Sequence, residues 1–468
     1  MSSDRISNLP DSLLTHILSF LATNESVRTS VLSKRWESLW LSVPGLELFP
    51  DDYPSYGESP PGAKCYIDTY LDFNHNNGSR VQKFKVQYDE TSDYREDFVN
   101  WIETVVERGV QHLEVESLME RSSRDYLTDK IYNSDTLVSL KLANVGLSDL
   151  DPAVGVSLPC LKILHLADVS YDDEDPLFME KLISGCPVLE EFALALPYDY
   201  HERQKNVSSL RVKSQTLKSF IFSFDTNYTD TVFAFEIDAP QLKYMYFSDD
   251  QSDRIVLKNL TSLSMIEIGS DFHVDRGSTS YRERRNAIRD FLNGISSVRH
   301  MIISESTLKV LFHYSKLGRI RKFDNVTRLQ AAIYSNMLEL FPAFLESFPN
   351  LKNLILDLIV VTREIKLNGV PQCMVLNLEC VEIKLKDVMV EEPVKTLVRY
   401  FLENSVVLKK LILRFKESSE AMKVYARAKK ASSRAKKVSD IFKELSTFTK
   451  LSPRCEIITI DLGIFCYE

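Results

Sequence analysis

The sequence predicts an α/β fold in which a small helical unit precedes a stack of strand–helix repeats, with the strands side by side in a parallel sheet and the helices outside it. Three observations predict this. A pattern of the form apolar-x-x-apolar-x-apolar recurs thirteen times from Val81 to Leu413 at a mean spacing of about 27 residues. Helical stripes with recognisable ends lie between the recurrences. The first 45 residues carry a different, purely helical pattern with more apolar surface than so short a unit can bury alone.

In that first unit Pro10 suits a first helical position, where its missing N–H costs nothing. Leu13, Leu14, Ile17, Leu18 and Leu21 follow at helical spacing. Asn24 is the expected cap of a second short helix carrying Val27, Val31 and Leu32. Ser33 is the expected cap of a third, with Trp36, Leu39 and Trp40 at i, i+3 and i+4, and Pro44 ends it. The surplus must pack on the rest of the chain or on a partner, and Trp36, Leu39 and Trp40 are expected to remain uncovered. Large aromatic side chains in a desolvated patch are common interface anchors.

Residues 46–80 read as a linker and the first strands, with a Pro- and Gly-rich loop over 50–64. The thirteen apolar triplets begin at Val81, Val110, Leu137, Leu161, Leu189, Leu217, Leu242, Leu263, Val298, Val326, Leu351, Leu378 and Leu408. Their spacing lies in the leucine-rich-repeat window. Phe98, Trp101, Ile102, Val105 and Val106 form one helical stripe, and Gly109 offers a left-handed stop. Asp175 and Pro176 open a second, which Gly185 and Pro187 close. Pro393, Val394, Leu397, Val398, Phe401 and Leu402 repeat the design, with Asn404 at the stop. A long helix is expected from about Glu417 to Leu445.

Composition narrows the function. The 468 residues carry 57 Lys plus Arg against 66 Asp plus Glu, a net charge of −9 that argues against nucleic-acid or anionic-membrane partners. No two of the 14 glycines lie closer than Gly57 and Gly62, which excludes the phosphate-cradling glycine loops. No Cys-x-x-Cys scaffolds a metal, and His201-Glu202 is followed by Lys205 where a zinc-binding helix needs a second His. No Gly-x-Ser-x-Gly elbow occurs. A non-enzyme without metal or cofactor is expected. The start lacks a signal-peptide pattern and seven Cys are sparsely scattered, so the expected setting is intracellular, in nucleus or cytoplasm. Arg427, Lys429, Lys430, Arg434, Lys436 and Lys437 form a basic run that reads as a solvated helix face, with nuclear import as the alternative.

The order of residues in the first unit resembles the F-box of plant F-box proteins. The match runs through Leu9-Pro10-Asp11-Ser12-Leu13-Leu14, Ile17-Leu18-Ser19-Phe20-Leu21 and Val27-Arg28-Thr29-Ser30-Val31-Leu32-Ser33-Lys34-Arg35-Trp36-Glu37-Ser38-Leu39-Trp40. Ser184-Gly185-Cys186-Pro187-Val188-Leu189-Glu190-Glu191 resembles the repeat junction of the F-box leucine-rich-repeat members. Leu378-Glu379-Cys380-Val381-Glu382-Ile383 and Leu408-Lys409-Lys410-Leu411-Ile412-Leu413 resemble the FBD domain of one subgroup, although Lys384-Leu385-Lys386-Asp387 replaces the usual Trp-Gly-like segment.

The resemblance implies a three-helix F-box over 1–45, a leucine-rich-repeat solenoid over 46–370 and FBD-like repeats with a cap over 371–468. It implies the substrate receptor of an SCF-type cullin–RING ubiquitin ligase. Leu9, Pro10, Leu13, Ile17, Leu18, Val31, Leu32, Trp36, Leu39 and Trp40 would contact a Skp-type adaptor, and through it a cullin. The target protein would lie on the concave strand face. By the two-residue pleat that face carries Lys83, Lys85, His112, Glu114, His165, Tyr244, Tyr246, Glu382, Lys384, Lys410 and Arg414, of which His165, Tyr244, Tyr246 and Arg414 are the first candidates. Loops at Tyr198-Asp199-Tyr200 and Phe224 to Phe235 are alternatives. A binding scaffold without a degradation role, or a small-molecule co-receptor, are the competing functions.

Overall fold

The structure is a computed structural model that describes residues 6, 8–49, 63–88, 95–118, 126–150, 155–171, 177–196, 209–224, 233–249, 252–272, 281–315, 320–360, 365–385, 392–415 and 427–461. It divides into two compact units, residues 1–241 and 242–468.

The first unit contains helices α1 (Asp11–Leu18), α2 (Thr23–Arg28), α3 (Ala63–Asn76), α4 (Arg95–Glu107) and α5 (Phe178–Ser184). Its strands are β1 (Gly45–Leu48), β2 (Lys83–Tyr88), β3 (His112–Ser117), β4 (Tyr126–Leu127), β5 (Ser139–Ala143), β6 (Gly146–Leu147), β7 (Ile163–Ala167), β8 (Ser170–Tyr171), β9 (Glu191–Ala195), β10 (Ser209–Lys213), β11 (Ser219–Phe224) and β12 (Phe233–Asp238). The main ladder runs β1-β2-β3-β5-β7-β9-β11, parallel at every paired step. Short parallel ladders, β4-β6-β8 and β10-β12, lie beside it.

The second unit contains β13 (Tyr244–Asp249), β14 (Ser252–Lys258), β15 (Met265–Ile268), β16 (His300–Ile303), β17 (Arg328–Tyr334), β18 (Asn353–Ile359), β19 (Cys380–Leu385), β20 (Lys410–Phe415) and β21 (Glu456–Asp461). Its helices are α6 (Tyr281–Gly294), α7 (Glu305–Ser315), α8 (Phe341–Leu345), α9 (Gln372–Leu376), α10 (Glu392–Asn404) and α11 (Arg427–Ser446). The main ladder, β13-β15-β16-β17-β18-β19-β20-β21, is again parallel.

All thirteen apolar triplets are ladder strands, and each of their apolar side chains is buried. Strand and helix bury these faces against each other, as in the Phe247–Phe291 ring contact between β13 and α6 at 5.2 Å. The α4 stripe is buried, and Gly109 stops the chain at φ +76°. The α10 stripe is buried too.

Several elements differ from expectation. The second helix starts at Thr23 after an extended Ala22, so Asn24 is inside it. Ser33 to Ser38 form no helix, only turns, and the chain then makes a 3-10 turn over Leu39–Ser42. The segment read as linker holds α3, whose Ile67, Tyr70 and Leu71 are buried. Two ladder strands lie outside the thirteen: β1, which carries the same triplet as Val43-Leu46-Leu48, all buried, and β21, which lacks it. Gly185 closes α5 as expected, in ordinary helical geometry, and a Cβ there would collide with Val156. Asp175, Pro176 and residues 417–426 lie outside the described residues. Among the described residues no helix is long and apolar enough to cross a membrane.

Candidate interaction surfaces

The F-box segment has a small interior of its own. Leu14 and Leu18 of α1 meet Trp36, Leu39 and Val43, and Leu9 packs against them. Arg35 holds the start of α1: its guanidinium donates to the Leu9 carbonyl at 2.5 Å and lies 2.5 Å from Asp11 Oδ1. Ser26 Oγ donates to the Leu18 carbonyl at 3.1 Å, tying α2 to the end of α1.

The interior is also closed from the repeat side. Trp40 stacks near Tyr70 and meets Tyr66 edge-on, both from α3. Tyr70 Oη donates to the Val43 carbonyl at 2.8 Å, and Asn74 Nδ2 to the Leu41 carbonyl at 3.1 Å. Burial pushes the Tyr70 phenol above its ordinary range, keeping it a neutral donor. The backbone N–H of Glu47 in β1 donates to Thr23 Oγ1 at 2.9 Å. A cavity of about 290 Å³ at this junction is lined by Leu21, Thr23, Trp40, Lys83 and His112 among others.

These contacts correct the expectation that Trp36, Leu39 and Trp40 remain uncovered. Leu18, Trp36 and Leu39 are buried in the F-box's own interior, and Trp40 is buried against Tyr66 and Tyr70 of α3. What remains outside is the other side: Leu13 and Ile17 on α1, then Leu21, Val31 and Leu32, with Pro10 exposed beside them in sequence. Val31 is 88% accessible and Phe20, absent from the expected set, is 77% accessible. Phe20 lies in the turn just past α1, its ring edge-on to His16 at 5.0 Å.

On the strand face, every expected position is exposed or half-buried, as the pleat requires. Several are engaged by a neighbouring strand. Lys85 lies 2.5 Å from Glu114 Oε1, and Lys83 pairs with Glu47. His165 Nε2 lies 2.6 Å from Glu191 Oε1. Lys384 lies 3.8 Å from Asp357, which also accepts from Gln330 Nε2 at 2.9 Å. Arg414 Nε donates to Glu382 Oε1 at 2.6 Å. Tyr244 and Tyr246 stand together on β13, where burial and then the Glu267 charge raise the Tyr244 phenol above its ordinary value.

The structure does not gather the four first candidates. His165 belongs to the first unit. Tyr244 and Arg414 are six ladder steps apart in the second, roughly 28 Å at strand spacing. Tyr198-Asp199-Tyr200 and most of 224–235 lie outside the described residues, as do the side chains of 427–435 in the basic run.

Comparison with known proteins agrees with this arrangement. The F-box domain family matches residues 6–47, the FBD family residues 366–413, and "FBD-associated F-box protein At5g56370, LRR repeats" residues 98–270. F-box/FBD/LRR-repeat protein At2g26030 of Arabidopsis thaliana is 51% identical over 467 residues, covering 98% of this chain and 100% of that protein. F-box/FBD/LRR-repeat protein At5g44980 of Arabidopsis thaliana is 47% identical, covering 98% of this chain and 99% of that protein. An F-box whose interior closes on the first repeats, followed by two parallel-stranded repeat units and matched over nearly its whole length, places this chain in the plant F-box/FBD/LRR-repeat family.

Proposed function

We propose that this chain is the substrate-recognition subunit of an SCF-type cullin–RING ubiquitin ligase and performs no chemistry itself. Its F-box docks a Skp-type adaptor, which links it to the cullin, and the repeat units hold the target protein. Target lysines are then kept near the ubiquitin-charged enzyme, so that raised effective concentration replaces catalysis. The observation that carries this reading is the division of the F-box apolar residues. Leu14, Leu18, Trp36 and Leu39 close the interior, while Leu13, Ile17, Phe20, Val31 and Leu32 stay in solvent. So many large apolar side chains on so short a segment mark a protein interface.

Co-purification with a Skp-type adaptor tests it. The chain is co-expressed with the adaptor as wild type and as Leu13→Asp plus Val31→Asp, two exposed positions whose change leaves the interior intact. Adaptor recovery is expected to fall at least about tenfold, since charged groups cannot be desolvated in an apolar contact without a partner. Unchanged recovery refutes the adaptor surface.

A further inference from the structure

The strand face of the second unit uses up most of its charge internally. Asp357 with Lys384, Glu382 with Arg414, and Glu379 with Lys409 are cross-strand pairs. Exposed cations are left over: Lys243 before β13, and a group of four farther along the ladder. Arg299, Arg328, Lys352 and Lys410 have no side-chain ion pair or hydrogen bond among the described residues.

These four share one band. His300, Arg328, Asn353, Cys380 and Lys410 lie in register across β16 to β20. Arg299 and Lys352 directly precede β16 and β18, and both are bridged by Thr327, whose N–H donates to the Arg299 carbonyl while its own carbonyl accepts from Lys352 N–H. The band therefore crosses five neighbouring strands at their N-terminal ends. That is roughly 19 Å, the length of about six residues of extended polypeptide. The nearby acids include Glu379, held by Lys409 and also within reach of the Lys352 charge, Glu382, held by Arg414, and Glu456, in register with Lys410 at the far end. The Arg328 charge is felt at half-buried His300, where it adds to burial in disfavouring the protonated ring.

We infer that this band binds an extended stretch of target polypeptide rich in Asp and Glu. The inference rests on the reading that the repeats hold the target, and it names the chemistry of that target. Four cations on a chain of net charge −9, flanked by acids, make a local site and not the broad basic field that a nucleic acid requires. Carboxylates three or four to the stretch match the number and reach of the unpaired cations.

The test is fluorescence anisotropy at low ionic strength with the full chain. The probes are a labelled eight-residue Glu peptide, an eight-residue Gln peptide and an eight-nucleotide single strand of DNA. The Glu peptide is expected to bind at least about tenfold tighter than either other probe, and high salt to weaken it. Arg299→Gln, Arg328→Gln, Lys352→Gln and Lys410→Gln combined should lose at least about tenfold, and Arg328→Gln alone about twofold or more. A charge-matched control at Lys366, Lys436, Lys437 and Arg454, all exposed, should bind like wild type. Equal binding of the Gln peptide, preference for the DNA, unchanged binding by the four-site variant, or an equal loss in the control each overturns the inference. Adaptor recovery is unaffected by these substitutions, so the F-box reading stands or falls separately.

Discussion

Tyr70 donates its hydroxyl to the Val43 carbonyl across 2.8 Å, joining the first helix of the repeat region to the last residue of the F-box interior. Both groups are buried. Tyr70→Phe removes the donor and leaves the carbonyl without its partner, a change that costs roughly 1–3 kcal/mol. Thermal unfolding should begin earlier in the variant, with cleavage near the F-box boundary in limited proteolysis. Unaltered melting and proteolysis would show that the bond is not what joins the two parts.

Trp36 and Val31 should separate stability from recognition. Trp36→Ala opens a cavity among Leu14, Leu18 and Leu39 and should cost roughly 3–5 kcal/mol. Val31→Ala, at an 88% accessible position, should leave the melting temperature nearly unchanged while reducing adaptor recovery. Circular-dichroism melting with parallel pull-downs distinguishes the two. A Trp36→Ala chain that melts like wild type would contradict the burial.

His300 makes the second unit sensitive to mild acid. Its folded pKa lies below the ordinary 6.5, first through burial and then through the Arg328 charge. On falling below 6.5 the unfolded chain takes up a proton that the folded chain resists, so stability drops as pH falls from about 6.5 towards the folded pKa. His300→Gln should flatten that part of the melting profile between pH 7.5 and 5. Parallel profiles for the two proteins would refute it.

The cysteines should differ sharply in reactivity. Burial pushes the Cys186 and Cys373 thiols up to about 12, so thiolate, the reactive form, is scarce there. Cys65 and Cys160 are exposed. Iodoacetamide at pH 8 followed by peptide mass spectrometry should label Cys65 and Cys160 first, and Cys186 and Cys373 only after unfolding.

Much of this architecture is written locally. The triplets of Val110-Leu113-Val115 or Leu351-Leu354-Leu356 mark strands because alternation and spacing alone send those side chains to one face. Gly109 marks a helix end for an equally local reason, its freedom to take the left-handed conformation at φ +76°. α3 was legible too, in the stripe of Ile67, Tyr70, Leu71 and Asn74, but the Pro-rich stretch before it suggested a longer linker. β1 carries the triplet as Val43-Leu46-Leu48 but stands 38 residues before the next one, outside the period, whereas β21 has no triplet and takes its register from hydrogen bonds to β20.

By itself the chain's order of residues determined the repeat, its period, the F-box and the apolar surplus that the F-box carries. Tertiary structure decided which part of that surplus is spent. Leu13 and Leu14 are neighbours of the same type on α1, yet one is in solvent and the other in the interior, because only the face turned to Trp36 and Leu39 is covered. It likewise decided which strand-face charges are free: His165 meets Glu191 and Arg414 meets Glu382 across neighbouring strands, 26 and 32 residues apart. Such pairings depend on distances that only the stacking of whole repeats brings within reach, and no local pattern encodes them.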